Sequence, residues 1–181
     1  MIRRALVAGL AVLAACTPFR GTLDRTEREK PTHGISTIVD VQVAKHDLYD
    51  RIVFTFDSLP VRSDTLAFEG GVPGYRIYYT PELQNLQCGS GRPIFAGGVP
   101  LLVQFQPAQA HDVQDGRPTV TWQDSTFGFP AINRVHLTCD FEADLQFLIG
   151  VRGSLGERPT HQYRVFEMDN RLVLDLEHGA Q

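Results

Sequence analysis

Tyr163-Arg164-Val165-Phe166-Glu167-Met168-Asp169-Asn170-Arg171-Leu172-Val173-Leu174-Asp175-Leu176 reads as a β-hairpin. Two runs rich in β-branched, aromatic and leucine residues are separated by Asp169-Asn170 alone. Both of those residues tolerate the left-handed backbone that a two-residue hairpin turn demands. Side chains alternate across a strand, so Leu172, Leu174 and Leu176 share one face. That leaves Arg171, Val173, Asp175 and Glu177 on the other.

The same period of two runs outward from the hairpin. Strands are expected at 38–43, 51–56, 75–79, 101–105, 119–122, 133–137 and 145–151. In 51–56, Ile52, Phe54 and Phe56 fall on one face. Gly and Pro mark most of the gaps. Nothing after residue 16 combines a 3.6-residue period with helix length. Many short strands separated by turns predict an all-β fold, a sandwich or barrel, in a single domain over residues 35–179. A faint internal echo accompanies them. Asp50-Arg51-Ile52-Val53-Phe54 then Gly74-Tyr75-Arg76-Ile77-Tyr78 resembles Asn133-Arg134-Val135-His136-Leu137 then Gln162-Tyr163-Arg164-Val165-Phe166. Two half-sheets facing each other would produce such a pattern.

The N-terminal end has a different character. Arg3 and Arg4 precede an apolar run, Ala5-Leu6-Val7-Ala8-Gly9-Leu10-Ala11-Val12-Leu13, which leads to Ala14-Ala15-Cys16. The run is far short of the roughly 20 apolar residues a spanning helix needs. It reads as a lipoprotein signal peptide over residues 1–15, cut before Cys16, with acyl chains such as palmitate on that cysteine. Each buried methylene contributes about 0.8 kcal/mol, so two or three chains form a lasting membrane anchor. The expected location is outside the cytoplasm, on the outer leaflet of the cell membrane or on an outer membrane, facing the periplasm or cell wall. Residues 16–34 carry mixed charge, Pro and Gly without apolar period, and are expected to be a flexible spacer.

The chain of 181 residues holds 17 Lys and Arg against 21 Asp and Glu, a net charge of −4. Loss of Arg3 and Arg4 with the leader takes this to about −6. An acidic chain without a basic cluster excludes nucleic acid as the expected partner. Cys88 and Cys139 remain after Cys16, and in an oxidising compartment two such cysteines point to a disulfide. Closing a loop of that length stabilises by roughly 4 kcal/mol on the chain-entropy account.

No catalytic site, cofactor or metal is expected. The six histidines (His33, His46, His111, His136, His161 and His178) form no ligand-spaced pair. His111-Asp112 is the one adjacent His–carboxylate pair, and reads as a hydrogen-bonded loop. Ser90 in Gly89-Ser90-Gly91 lacks the context of a nucleophile elbow. Asp140 and Glu142 flank Phe141 in a turn-like position, unlike the paired acids of a glycosidase. A binding surface has better material. Tyr78, Tyr79, Trp122, Phe127 and Phe129 offer flat apolar faces. Arg51, Arg76, Arg134 and Arg164 offer carboxylate-binding guanidinium groups. Arg51, Arg76, Tyr78, Trp122, Arg134 and Arg164 are the candidate binding residues. The competing expectation is that the aromatics are core and the arginines pair with Asp50, Asp57, Asp140 and Asp175 on solvated faces.

A family resemblance runs through the same segments. His46-Asp47-Leu48-Tyr49-Asp50-Arg51-Ile52-Val53-Phe54-Thr55-Phe56 resembles the opening of the AMIN-like domain of exported and lipid-anchored bacterial proteins. So do Gly74-Tyr75-Arg76-Ile77, Pro107-Ala108-Gln109-Ala110-His111-Asp112, Cys139-Asp140-Phe141-Glu142 and the closing hairpin. The resemblance covers about residues 36 to 178. It implies a sandwich of two small sheets. The related AMIN domain accompanies cell-wall amidases and pilus secretins and is thought to target them to peptidoglycan. The implied function is a non-catalytic envelope module that binds peptidoglycan or a wall-associated protein. The alternative is a structural or assembly lipoprotein that meets only protein partners through its sheet edges.

Overall fold

The computed structural model describes residues 18–30, 34–57, 70–81, 97–112, 114–121 and 123–179. Residues 1–15, where a signal peptide is expected, and Cys16, His33, Cys88, Ser90 and Trp122 lie outside the described residues. Within them the chain is all β, in two sheets. The strands are β1 (Thr26–Arg28), β2 (Ser36–Lys45), β3 (Tyr49–Phe56), β4 (Gly74–Tyr79), β5 (Val99–Gln106), β6 (Ala108–Gln109), β7 (Asp124–Thr126), β8 (Ile132–Phe141), β9 (Asp144–Val151), β10 (Tyr163–Met168) and β11 (Arg171–Glu177). One sheet has six strands in the order β1-β4-β5-β9-β8-β7. The other has five, β10-β11-β3-β2-β6. Neighbours are antiparallel except for β2 and β6.

The expected hairpin is β10–β11, with Met168 opposite Arg171 and a turn at Asp169-Asn170. Asp169 takes the left-handed conformation, at φ 54°. Leu172, Leu174 and Leu176 are fully buried, on the face toward the other sheet. The inward positions of β3, β5 and β9 meet them. Phe54, Phe56, Phe105 and Phe147 pack as a tilted and edge-on cluster, with ring centroids 5.0 to 6.4 Å apart. Aromatic pairs prefer these geometries over face-to-face stacking.

Polar side chains fasten one sheet to the other. Asp50 on β3 is fully buried, and its Oδ2 accepts the N–H groups of Ala131 (2.7 Å) and Ile132 (2.9 Å), where β8 begins. The Tyr163 hydroxyl on β10 reaches the carbonyls of Ile77 on β4 (2.8 Å) and Asp24 (2.5 Å). Tyr79 donates to the His161 carbonyl at 2.6 Å. Each contact satisfies groups that would be costly to bury unpaired.

Three expectations need correction. The spacer is not free where it is described. Thr26–Arg28 form β1 on the edge of the six-stranded sheet, and Thr22 bridges Tyr163. A three-residue edge strand is placed by backbone hydrogen bonds, so no apolar pattern announces it. The strand expected at 119–122 is absent from its described part, and the strand that follows is β7. Thr119 donates its N–H to Ala110 and its hydroxyl to Ile38 (2.5 Å), and Val120 enters the core. That segment bonds sideways and leaves no ladder to make. Finally, the second face of β11 is buried at its centre, with Val173 2% and Asp175 0% exposed, and solvated only toward its ends at Arg171 and Glu177.

Candidate functional site

The outer face of the six-stranded sheet carries a groove at its β1 edge, about 510 Å³ in volume. On β4, Ile77 faces the core, so Arg76 and Tyr78 face outward by alternation. The ladder sets Arg76 between Glu27 on β1 and Gln104 on β5. Gly74 lies opposite Gln106 and forms part of the groove wall without a side chain. Its bareness is required, because a Cβ there would come within 2.8 Å of the Gln106 carbonyl oxygen.

The charges in the groove differ in commitment. Arg28 is spent on structure. Its Nη2 donates to the carbonyls of Val72 (3.0 Å) and Pro73 (2.9 Å). Its Nε lies 3.0 Å from Glu167, an ion pair whose angle falls short of a hydrogen bond. Burial, aided by the nearby Glu167 carboxylate, raises the Tyr75 hydroxyl pKa above its ordinary value. Arg76 is held loosely. Its Nε is 3.9 Å from Glu27, and Arg25 holds that same carboxylate at 2.7 Å. Arg25 also lies over the Tyr78 ring, 5.3 Å from its centroid. The Gln104 and Gln146 side-chain amides both donate to Asp144, at 2.8 and 2.7 Å.

The candidate residues therefore do not form one surface. Arg76 lines the groove, and Tyr78 shares the outward row of β4 with it but lies outside the lining. Arg51 and Arg164 lie on the five-stranded sheet and converge on the buried Asp175. Arg51 Nε is 2.6 Å from Asp175 Oδ1, and Arg164 Nη2 is 2.8 Å from Oδ2. Both guanidinium groups lie over the Tyr49 ring, with Phe166 beside Arg51 and Phe19 beside Arg164. The hydrogen bond to Asp175 raises the Arg51 pKa, opposed by its partial burial. Arg134 pairs with Asp124 across the β7–β8 ladder, and that hydrogen bond lowers the Asp124 pKa. Asp175, expected as an arginine partner on a solvated face, pairs with two arginines but is fully buried.

The acids and histidines singled out above also find partners. His111 does not rest on Asp112. Its Nδ1 is 2.8 Å from Asp140 Oδ2, while Asp140 Oδ1 accepts the Ala110 N–H. Glu142 occupies the β8–β9 turn at φ 50°. His178 meets Asp50 at 2.9 Å. Among the described residues no three His, Cys, Asp or Glu side chains gather as metal ligands. Cys139 is buried.

Sequence reasoning missed Glu27, Gln104 and Gln106 as groove residues. Glu27 lay in the expected spacer. The glutamines had a signal in retrospect: they alternate with the core residues Val103 and Phe105 and so point outward.

A two-sheet sandwich with an open, mixed-charge groove has the form of a binding module. The sequence profile of the AMIN-like domain matches residues 36–178, and the chain belongs to that family. No curated protein and no solved structure is significantly similar to it. β1 and Glu27 precede the matched region.

Proposed function

We propose that this chain is a lipid-anchored, non-catalytic module of the cell envelope that binds peptidoglycan or a wall-associated protein. The observation that carries this reading is the groove: an open concavity lined by charged and amide side chains, with a loosely held guanidinium, on a domain of a family associated with the envelope. Its residues suit a ligand rich in hydroxyl, amide and carboxylate groups, as wall polymers are. The non-catalytic part rests on commitment, because Asp50, Asp140 and Asp175 already hold internal partners. The anchor rests on Leu13-Ala14-Ala15-Cys16.

Sedimentation with purified peptidoglycan sacculi tests the ligand. The full chain should pellet with sacculi and not with washed cellulose. Recovery in the supernatant, with co-purification of a discrete envelope protein, would favour the protein-partner alternative. Cys16→Ala should move the protein from the membrane fraction to the soluble fraction. Unchanged membrane association would sink the anchor.

A further inference from the structure

We propose that the groove is a carboxylate-binding site in which Arg76 takes the ligand's acid group and Glu27 acts as the internal competitor for that position. This deepens the wall-binding reading and rests on it for the identity of the acid, a muramyl peptide.

Of the four candidate arginines, Arg76 has the longest ion pair. Arg51, Arg164 and Arg134 meet their carboxylates at hydrogen-bond distance, whereas Arg76 stands 3.9 Å from Glu27. Its side chain is 46% exposed in the groove. Arg25 holds Glu27 more closely, at 2.7 Å, so two guanidinium groups share one carboxylate, and the groove lining adds one further acid and one further base, Glu29 and Lys30. An incoming carboxylate can pair with Arg76 in the two-pronged geometry that Glu27 does not reach, while Glu27 stays with Arg25. Arg28 does not compete, because the Val72 and Pro73 carbonyls and Glu167 engage it.

The surroundings specify more than an anion. Gln104 lies directly across the ladder from Arg76. Its NH₂ is fixed on Asp144, which orients its carbonyl oxygen as an acceptor for a ligand hydroxyl or amide. Gln106 is exposed beside the bare Gly74. Tyr78 continues the outward row of β4 beyond the groove lining, with Arg25 over its ring. Glu27 comes from β1, outside the family-matched region. The competitor is therefore supplied by the segment that leads toward the membrane anchor.

The test uses the full chain with Cys16→Ser, so that no acyl group interferes. The probe is N-acetylmuramyl-L-alanyl-D-isoglutamine, followed by NMR titration, with the neutral N-acetylglucosamine tetramer as control. The acid should bind at least about 10-fold more tightly than the neutral sugar. Arg76→Ala should weaken acid binding by about 10-fold or more, the range for a hydrogen bond to a charged group, and Arg76→Lys by less. Glu27→Gln should tighten it about 3-fold, a modest gain consistent with an exposed ion pair. Arg76 is on a solvent face, and an unchanged amide spectrum verifies that each variant is folded. The site is overturned if the acid does not bind, if the neutral sugar binds equally well, or if Arg76→Ala binds like the parent. An unchanged affinity in Glu27→Gln overturns the competitor role. Sedimentation with sacculi separates this from the wall-binding reading. Pelleting that survives Arg76→Ala removes the groove and leaves that reading. Probe binding through Arg76 without pelleting keeps the groove and removes the wall.

Discussion

The Asp50 carboxylate accepts the Ile132 N–H at 2.9 Å from across the sandwich, so one side chain of the five-stranded sheet caps the first strand residue of β8 in the other. The same oxygen takes the Ala131 N–H, and the second oxygen takes His178. Removing it leaves two buried donors without partners. Asp50→Ala should destabilise the domain by about 3–5 kcal/mol, read as a lower midpoint in urea unfolding. Asp50→Asn keeps an acceptor oxygen and should cost less. Equal midpoints for both variants would contradict this account.

Arg51 and Arg164 are expected to act on stability and not on ligand. Both bind the fully buried Asp175, so Asp175→Ala leaves two partly exposed cations without their carboxylate and should cost about 1.5–3 kcal/mol. Either arginine replaced by Met leaves the other in place and should cost less than Asp175→Ala. Neither Met variant should alter sedimentation with sacculi. Loss of pelleting in a folded Arg51→Met protein would move the binding face to the other sheet.

Deleting residues 18–30 should uncover the β4 edge. β1 pairs with β4 from Thr26 to Arg28, and the Tyr163 hydroxyl loses the Asp24 carbonyl. An unpaired edge strand recruits other chains. The truncated protein should elute earlier and with concentration dependence in size-exclusion chromatography, whereas the full-length soluble variant should not.

Acidification should weaken the fold through His136. Burial lowers its pKa below the ordinary value of 6.5, partly offset by Asp124, and its Nδ1 has no hydrogen-bond partner. The unfolded chain therefore binds the proton more readily than the folded one. Stability rises with pH from the folded pKa up to about 6.5 and is then complete. The melting temperature of the parent should fall between pH 7 and pH 5 by more than that of His136→Gln. Parallel curves would remove His136 as a contributor.

We propose that Cys139 forms a disulfide with Cys88. Peptide mapping without reduction should recover a linked Cys88–Cys139 fragment. Reduction should lower stability by roughly 4 kcal/mol. A linked peptide containing Cys16 would overturn the pairing and the lipid anchor together.

Much of the framework was legible because burial leaves a period in the sequence. The hairpin at Asp169-Asn170, the inward set Ile52, Phe54 and Phe56, and the long strands of both sheets all follow from alternation. β1 and β6 were not legible. Each is two or three residues long, and backbone pairing places it. The echo was legible but not its meaning. The echoed β3 and β8 lie in different sheets, as do β4 and β10, so the four arginines split between two outer faces. Of the six candidate binding residues, Arg76 lines the groove. His111 was legible as a hydrogen-bonded position, but its partner Asp140 lies 29 residues away.

The sequence by itself determined the class of fold and which residues face inward, since apolar alternation is a local property of each strand. It also carried enough of an ordered pattern across residues 36–178 to mark the family. The tertiary structure alone decided which charges are free. Arg51, Arg76, Arg134 and Arg164 look alike in strand context. Whether each guanidinium meets a carboxylate at close range depends on which strands are laid side by side. Ladder register and sheet order bring Asp175 to two of them and Asp124 to another, and leave Arg76 beside a Glu27 that Arg25 already holds.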